Sequence, residues 1–282
     1  MRGTLFYKMS GSGNDFVMLD GRATTIEDWP PAQVRAICDR RRGVGADGLV
    51  ILTPVSAEAV RMTYWNSDGS RGAMCGNAAL CSGRLAQHLE LVSGGEFCLL
   101  TDAGSVRVHS PTSADTAEIN LPDFEIPDEF TAVPCGKGEQ WMAFLSVGVP
   151  HLVIRVDDIE AVDPGTRGRS LRYDPSMGPE GANVNFISPA ATPGLPWLIR
   201  TYERGVEGET LACGTGTVAS AVALASRGEA ELPLRFRSRG GPELTVKARL
   251  ETRQAIEVWL GGESQLVFRG VWEGLSPQQK LS

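Results

Sequence analysis

Two phrases, Met74-Cys75-Gly76-Asn77-Ala78-Ala79 and Ala212-Cys213-Gly214-Thr215-Gly216-Thr217, place a cysteine at the same point of one pattern, once in each half of the chain. Each follows an acidic, glycine-containing stretch: Asp68-Gly69-Ser70 in one half, Glu207-Gly208-Glu209-Thr210 in the other. Each leads into small residues suited to a tightly packed helix. A duplicated unit accounts for the repeat, so the fold is constrained to two similar lobes, each presenting one thiol. Two thiols offered from opposite sides suit one reaction: removal of a proton from one face of a carbon and its return on the other.

At 282 residues the chain can bury two medium cores. With 42% hydrophobic and 22% charged residues it reads as globular rather than disordered or fibrous. A net charge of −7 argues against nucleic acid, which requires a basic stripe, and gives no attraction to an anionic membrane. No run reaches the roughly 18 apolar residues of a spanning helix. Residues 1–20 lack the pattern of a secretory signal, so a cytoplasmic protein is expected. Its six cysteines should then be thiols rather than disulfides. Cys38, in the apolar rhythm Val34-Ile37-Cys38, and Cys98, in Phe97-Cys98-Leu99-Leu100, are expected in the core. No role is assigned to Cys135.

Strands are expected over 4–9, 16–20, 49–53, 60–65, 97–100, 106–109 and 117–121. A helix is predicted over 31–42, with Pro30-Pro31 at its start, Arg40-Arg41-Arg42 favouring its C-terminus and Gly43 stopping it. A second follows Cys75, with Ala78, Ala79, Ala86 and Leu89 along it. The second half repeats the plan, with strands over 143–147, 152–156, 184–187 and 197–202. A helix over 214–226 is almost wholly small or apolar, the mark of burial on every side. Strands over 234–237, 244–250, 255–260 and 266–272 complete it. The acidic, Pro-rich segment Leu121 to Asp128 is the expected boundary. The fold class is α+β: domains 1–121 and 122–263, each a mixed sheet wrapped around a central helix, with the tail strand in 264–282 returning to the first.

A cysteine just before a helix faces unpaired N–H groups and the positive end of the macrodipole. That setting lowers a thiol pKa from about 8.5 toward neutrality and also binds carboxylates. If both helices aim at one cleft, an amino acid's α-carboxylate sits between them, with Cα flanked by a thiolate and a thiol. The helix ends would also stabilise charge as the proton leaves. Lys8, Lys137, Lys247 and Lys280 sit in no glycine-rich phosphate setting, so a cofactor-free, two-base mechanism is expected. A lone Cys-Gly at a helix start is commonly structural; packing, however, does not demand the same thiol twice. Cys75 and Cys81 lack C-x-x-C spacing and no histidine cluster supports them, so no metal or thioredoxin-like site is expected. Gly11-Ser12-Gly13 and Gly43-Val44-Gly45 fall short of the dinucleotide-binding fingerprint. His88 and His109 read as surface residues; His151 lies in a turn-like motif and alone would be structural.

The chain resembles the diaminopimelate epimerase family over almost its whole length. The resemblance rests on Gly13-Asn14-Asp15-Phe16, Arg42-Gly43-Val44-Gly45-Ala46-Asp47-Gly48 and Asn66-Ser67-Asp68-Gly69-Ser70 leading to the first cysteine phrase. Pro150-His151, Gly181-Ala182-Asn183-Val184-Asn185-Phe186 and Glu203-Arg204-Gly205, running to the second phrase, complete it. It implies a pseudo-symmetric two-domain fold with the site in the cleft, no cofactor, and interconversion of LL- and meso-diaminopimelate for lysine and peptidoglycan synthesis. It also implies a homodimer. By motif position Cys75 and Cys213 are the proton-transfer pair. Gly76, Asn77, Gly214 and Thr215 would contact the reacting carboxylate; Asn14, Asn66, Asn183, Glu203 and Arg204 would hold the substrate's amino and carboxylate groups. His151 and Glu203 would assist the thiols or bind the reacting ammonium. Arg204 can take a distal carboxylate bidentately.

The chain departs from the family pattern at Gly48, where many members carry Gln, at Val149, where many carry Asn, and at Leu80, where Arg is common. The first two bear on the distal end of the substrate. Two competing readings follow: another cofactor-independent racemase of this fold, acting on proline, hydroxyproline or histidine, and a non-catalytic amino-acid-binding or redox-sensing protein with the thiols as a switch.

Overall fold

The computed structural model describes residues 3–111, 115–127 and 132–274. Asp128 of the expected boundary and 275–282 of the expected tail, Lys280 among them, lie outside the described residues. The chain forms two units, Met1–Ile119 with Gly261–Ser282, and Asn120–Leu260.

Chain order in the first half is β1 (Thr4–Gly11), β2 (Asn14–Asp20), α1 (Pro31–Cys38), β3 (Gly48–Ser56), β4 (Ala59–Asn66), β5 (Arg71–Gly72), α2 (Gly76–His88), β6 (Glu96–Thr101), β7 (Gly104–His109) and β8 (Thr116–Leu121). The second half runs β9 (Phe124–Glu125), β10 (Glu139–Val147), β11 (Val149–Val156), α3 (Arg169–Arg172), β12 (Asn183–Ser188), β13 (Trp197–Glu203), β14 (Gly208–Thr210), α4 (Gly214–Ser226), β15 (Leu234–Ser238), β16 (Glu243–Glu251) and β17 (Gln254–Glu263). β18 (Gln265–Trp272) pairs antiparallel with β1.

The repeat is visible in the pairing. In the first unit β1–β2 is antiparallel, β2–β3 parallel, β3–β4 antiparallel, β4–β6 parallel and β6–β7 antiparallel, with β5 antiparallel to β4. In the second, β10–β11, β11–β12, β12–β13, β13–β15 and β15–β16 repeat that alternation, with β14 antiparallel to β13. The parallel pairs need crossovers, which α1 and α2 supply in one unit and α3 and α4 in the other. Hence β2, β3 and β12 carry continuous buried runs rather than alternating ones, because helical segments cover both faces.

On one face of the first sheet Val34, Ile37 and Cys38 pack with Val17, Leu19, Leu49, Ile51 and Trp65. The other face wraps α2, which meets β1, β2, β3, β4, β7 and β18. In the second unit Ile159, Leu171 and Met177 cover Leu152, Ile154, Val184 and Phe186, while α4 meets β10, β11, β12 and β16. Val218, Val222 and Leu224 of α4 are fully buried, each contributing about 1.5–3 kcal/mol. The hydroxyls these helices bury are satisfied internally: Ser82 donates to the Ala78 carbonyl, Thr217 to that of Cys213 and Ser220 to that of Gly216.

One predicted boundary is corrected. α1 ends at Cys38, not at 42, because Asp39 turns extended and its carboxylate accepts from the N–H groups of Arg41 and Arg42.

Candidate active site

Cys75 and Cys213 are the N-caps of α2 and α4, with φ/ψ of −139°/123° and −132°/107°. Both are half-buried, and neither helix has an acidic residue in its first turn. The ladder begins only with Ala79 N–H to the Cys75 carbonyl and Thr217 N–H to that of Cys213, so the earlier N–H groups point out of each helix end. Tight turns bring partners to these ends. Ser12 and Gly13, at φ 45° and 104°, close the β1–β2 hairpin and set Asn14 at the start of β2; Gly148, at φ 70°, turns β10 into β11.

In the first unit the Asn77 amide donates to Asn14 Oδ1 at 2.7 Å, and Asn14 donates to Asp47 Oδ2 at 2.9 Å. Arg40 bridges Asp47 and Asp15 at 2.6 and 2.7 Å, and the buried Lys8 Nζ reaches Asp15 at 2.6 Å. Burial alone would raise the Asp15 carboxyl, but hydrogen bonds from Arg40 and Lys8 outweigh it and hold it at about 2. Sequence reading missed Lys8, Asp15, Arg40 and Asp47; their motifs gave the signal, but the spacing between them hid the network. Asn66 is exposed, accepting from Tyr64 Oη at 2.8 Å and donating to Ser70 Oγ at 3.0 Å.

In the second unit a directed chain of hydrogen bonds ends on the thiol. Thr201 Oγ1 donates to Asn185 Oδ1 at 3.0 Å, which turns the Asn185 amide nitrogen toward His151 Nδ1, 3.2 Å away. With Nδ1 accepting, the proton sits on Nε2, which donates to Thr215 Oγ1 at 3.0 Å; that hydroxyl lies 3.8 Å from Cys213 Sγ. His151 is fully buried, and burial together with the Arg204 charge pushes it down to about 3, so the imidazole is neutral. Asn183 is fastened at both ends, accepting from Arg204 N–H at 2.9 Å and donating to the Pro150 carbonyl at 3.2 Å. Glu203 accepts from Thr210 at 2.8 Å and is raised by burial. The Arg204 guanidinium pairs with Glu180 at 2.7 Å.

The thiol expectation is corrected at Cys213. Burial of the sulfur, then the neighbouring Glu203 carboxylate, push it up to about 12, beyond the downward pull of the Gly216 N–H and the Thr215 hydroxyl. The helix end is present, but desolvation beside an acid reverses the sign. Among the other thiols Cys38 is buried and pushed up to about 12 by desolvation, Cys81 is buried and raised, and Cys135 is exposed. Cys98 is half-buried rather than in the core. A Cβ at Gly76 would make ordinary contact with Ile119 at 3.8 Å, whereas one at Gly214 would lie 2.7 Å from Leu260 and one at Gly216 2.2 Å from Asn185 Oδ1.

Among the described residues no His, Cys, Asp and Glu cluster could hold a metal ion, and no helix is long and apolar enough to cross a membrane. The family profile of diaminopimelate epimerase matches residues 6–119 and 143–265. A diaminopimelate epimerase of Gemmatimonas aurantiaca is 42% identical, covering 96% of this chain and 99% of its own. One from Aquifex aeolicus is 36% identical, covering 94% and 96%. Among solved structures, a hydroxyproline epimerase from Agrobacterium vitis superposes with a TM-score of 0.61 at 17% identity, covering 99% of this chain and 96% of its own. A phenazine biosynthesis protein of the PhzF family from Bacillus anthracis reaches 0.70 at 13%, covering 96% and 99%. At those identities the likeness is one of fold.

Proposed function

The chain belongs to the diaminopimelate epimerase family, and we propose that it interconverts LL- and meso-2,6-diaminopimelate with Cys75 and Cys213 as the two proton-transfer groups. The observation that carries the proposal is the matched pair of thiols, each the N-cap of the central helix in one of two repeats with the same strand order. Two equivalent helix ends give a carboxylate two sets of N–H donors, and two equivalent thiols give its α-carbon an acid and a base. One sulfur, as thiolate, takes the α-hydrogen as a proton and leaves the bonding pair on Cα. The other, as thiol, gives its proton to the opposite face and becomes the thiolate. Cys213, beside Glu203 and under the Thr215 hydroxyl, is the resting thiol, which makes Cys75 the resting base. Asn14, Asn66, Gly76, Asn77, Asn183, Glu203, Arg204, Gly214 and Thr215 form the binding set, with His151 supporting Cys213 through Thr215. The exposed Arg204–Glu180 pair is weakly held, so Arg204 can exchange Glu180 for a substrate carboxylate.

The test is α-deuterium incorporation from LL-diaminopimelate in deuterated water under reducing conditions. Product should acquire solvent deuterium while unreacted substrate stays unlabelled at early conversion, the mark of two separate bases. Cys75→Ser and Cys213→Ser should each lower kcat by about 10²–10⁴. Exchange with proline, hydroxyproline or histidine instead would transfer the chain to a racemase reading, and full activity in both serine variants would end the two-thiol mechanism. The protein acts as a cytoplasmic homodimer in this reading: its cysteines are free thiols, and Leu5, Val267 and Val271 on β1 and β18 are exposed apolar side chains available to a second copy. Light scattering at a dimer's mass checks this.

A further inference from the structure

Tyr64 lies on β4 with its ring in space that two glycines leave open. A Cβ at Gly48, across the β3–β4 pair, would come within 2.6 Å of the ring, and one at Gly72, across the β4–β5 pair, within 2.4 Å. Phe16 closes the ring's surroundings edge-on, with centroids 6.2 Å apart. The side chain is buried, yet its hydroxyl emerges beside the exposed Asn66 and lies 2.8 Å from Oδ1. Ser70 Oγ takes the other end of that amide at 3.0 Å. Burial raises the phenol, so the hydroxyl keeps its proton.

The second repeat supplies an internal comparison. In the β2–β3–β4 register Phe16, Gly48 and Asn66 occupy the places that His151, Asn183 and Glu203 hold in β11, β12 and β13. Glu203 is held at 2.8 Å by the hydroxyl of Thr210, on β14. The place of Thr210 is taken in the first unit by Gly72, which has no hydroxyl to offer. Both repeats therefore clamp this polar side chain with a hydroxyl, but the first draws it from two residues earlier on β4, through the gaps at Gly48 and Gly72.

We propose that Tyr64 is a positioning residue: its hydroxyl fixes the Asn66 amide so that Asn66 turns an N–H, rather than its oxygen, toward a substrate carboxylate. The proposal rests on the epimerase reading for its substrate but not for its geometry. A flipped amide would present oxygen to a carboxylate and repel it, so the effect falls on binding rather than on proton transfer. Tyr64→Phe keeps the ring and removes only the hydroxyl. With diaminopimelate, KM should rise about tenfold while kcat stays within about twofold and the thermal midpoint within about 2 °C. Tyr64→Phe added to Asn66→Ala should raise KM no further, since the hydroxyl acts through that amide. The Asn66 side-chain amide protons, assigned by their loss in Asn66→Ala, should move in the NMR spectrum of Tyr64→Phe. An unchanged KM, or increments that add in the double variant, overturns the proposal. If the wild-type chain exchanges no α-hydrogen of diaminopimelate, the substrate reading falls; unmoved Asn66 amide protons would then overturn the Tyr64 proposal independently, and moved ones would support it.

Discussion

Thr215→Val is the most informative single change, because one methyl replaces a hydroxyl with two duties. That hydroxyl accepts from His151 Nε2–H at 3.0 Å and lies 3.8 Å from Cys213 Sγ. Valine keeps the shape, so any effect comes from the lost oxygen. The fully buried His151 would be left with an unpaired N–H, costing about 1–3 kcal/mol. For a chain of this size a central value of about 2 kcal/mol lowers the thermal midpoint by roughly 4–8 °C. The second loss falls on the thiolate that Cys213 becomes after giving up its proton. A hydrogen bond to a charged group is worth about 1.5–3 kcal/mol, and the long contact to sulfur places this one at the low end, about tenfold in kcat. Calorimetry gives the first quantity and α-deuterium exchange the second; Thr215→Ser should restore both. A valine variant with unchanged midpoint and kcat would refute the relay from Thr201 to Cys213.

Three further outcomes follow from the same groups. His151 is held at about 3 when folded against the 6.5 of an ordinary histidine, so below pH 6.5 the unfolded chain takes up a proton that the folded chain refuses. Its share of stability is complete above pH 6.5 and is lost toward pH 3 at about 1.4 kcal/mol per unit; between pH 6.5 and 5 the unfolding free energy from urea titration should therefore fall by about 2 kcal/mol more in wild type than in His151→Gln. With the Cys213 thiol at about 12, kcat should rise with pH on an acid limb and show no alkaline fall before about pH 10. An alkaline limb near pH 8 in the enzyme–substrate complex would contradict the assignment of Cys213 as the resting acid. Gly216→Ala drives a Cβ to 2.2 Å from Asn185 Oδ1, so it should cost about 1–3 kcal/mol in denaturant unfolding and lower kcat by disturbing the His151 support.

The fold was legible where periodicity and composition act locally. α4 runs from Gly214 to Ser226 as expected, because a helix apolar on every side has one stable use, at the centre of a wrapped sheet. The strands of both repeats were legible from their β-branched runs, but β5 and β14, two and three residues long, are too short to show a period of two. The early end of α1 depends on the Asp39 side chain competing for backbone N–H groups, which a charge-based C-terminal signal overrides on paper. Placement of both cysteines at helix starts followed from the glycine and small residues after them. The sign of the Cys213 shift did not, because it depends on Glu203, brought from the end of β13 to the N-terminus of α4. The network of Lys8, Asp15, Arg40 and Asp47 lay hidden for the same reason, since β1, β2 and the turn after α1 meet only in the folded unit.

Duplication by itself would give two equivalent thiols, with nothing to decide which one rests as the acid and which as the base. The repeats differ where that division has to be made. At matching register positions the first unit carries Phe16, Gly48 and Asn66, and the second carries His151, Asn183 and Glu203. The backbone frame and the helix end are thus shared, while a carboxylate and a neutral, buried imidazole are confined to the side of Cys213. A carboxylate beside a desolvated sulfur disfavours its thiolate, and a neutral amide at the matching place exerts no such force. Exchanging the polar residue should therefore exchange the chemistry: Glu203→Gln should lower the Cys213 pKa and bring the alkaline limb of kcat down toward neutrality. Asn66→Glu should raise the Cys75 thiol and move the acid limb to higher pH. Iodoacetamide alkylation rates of each cysteine as a function of pH measure both shifts directly, and a Cys213 rate profile unmoved in Glu203→Gln would show that burial alone keeps that thiol protonated.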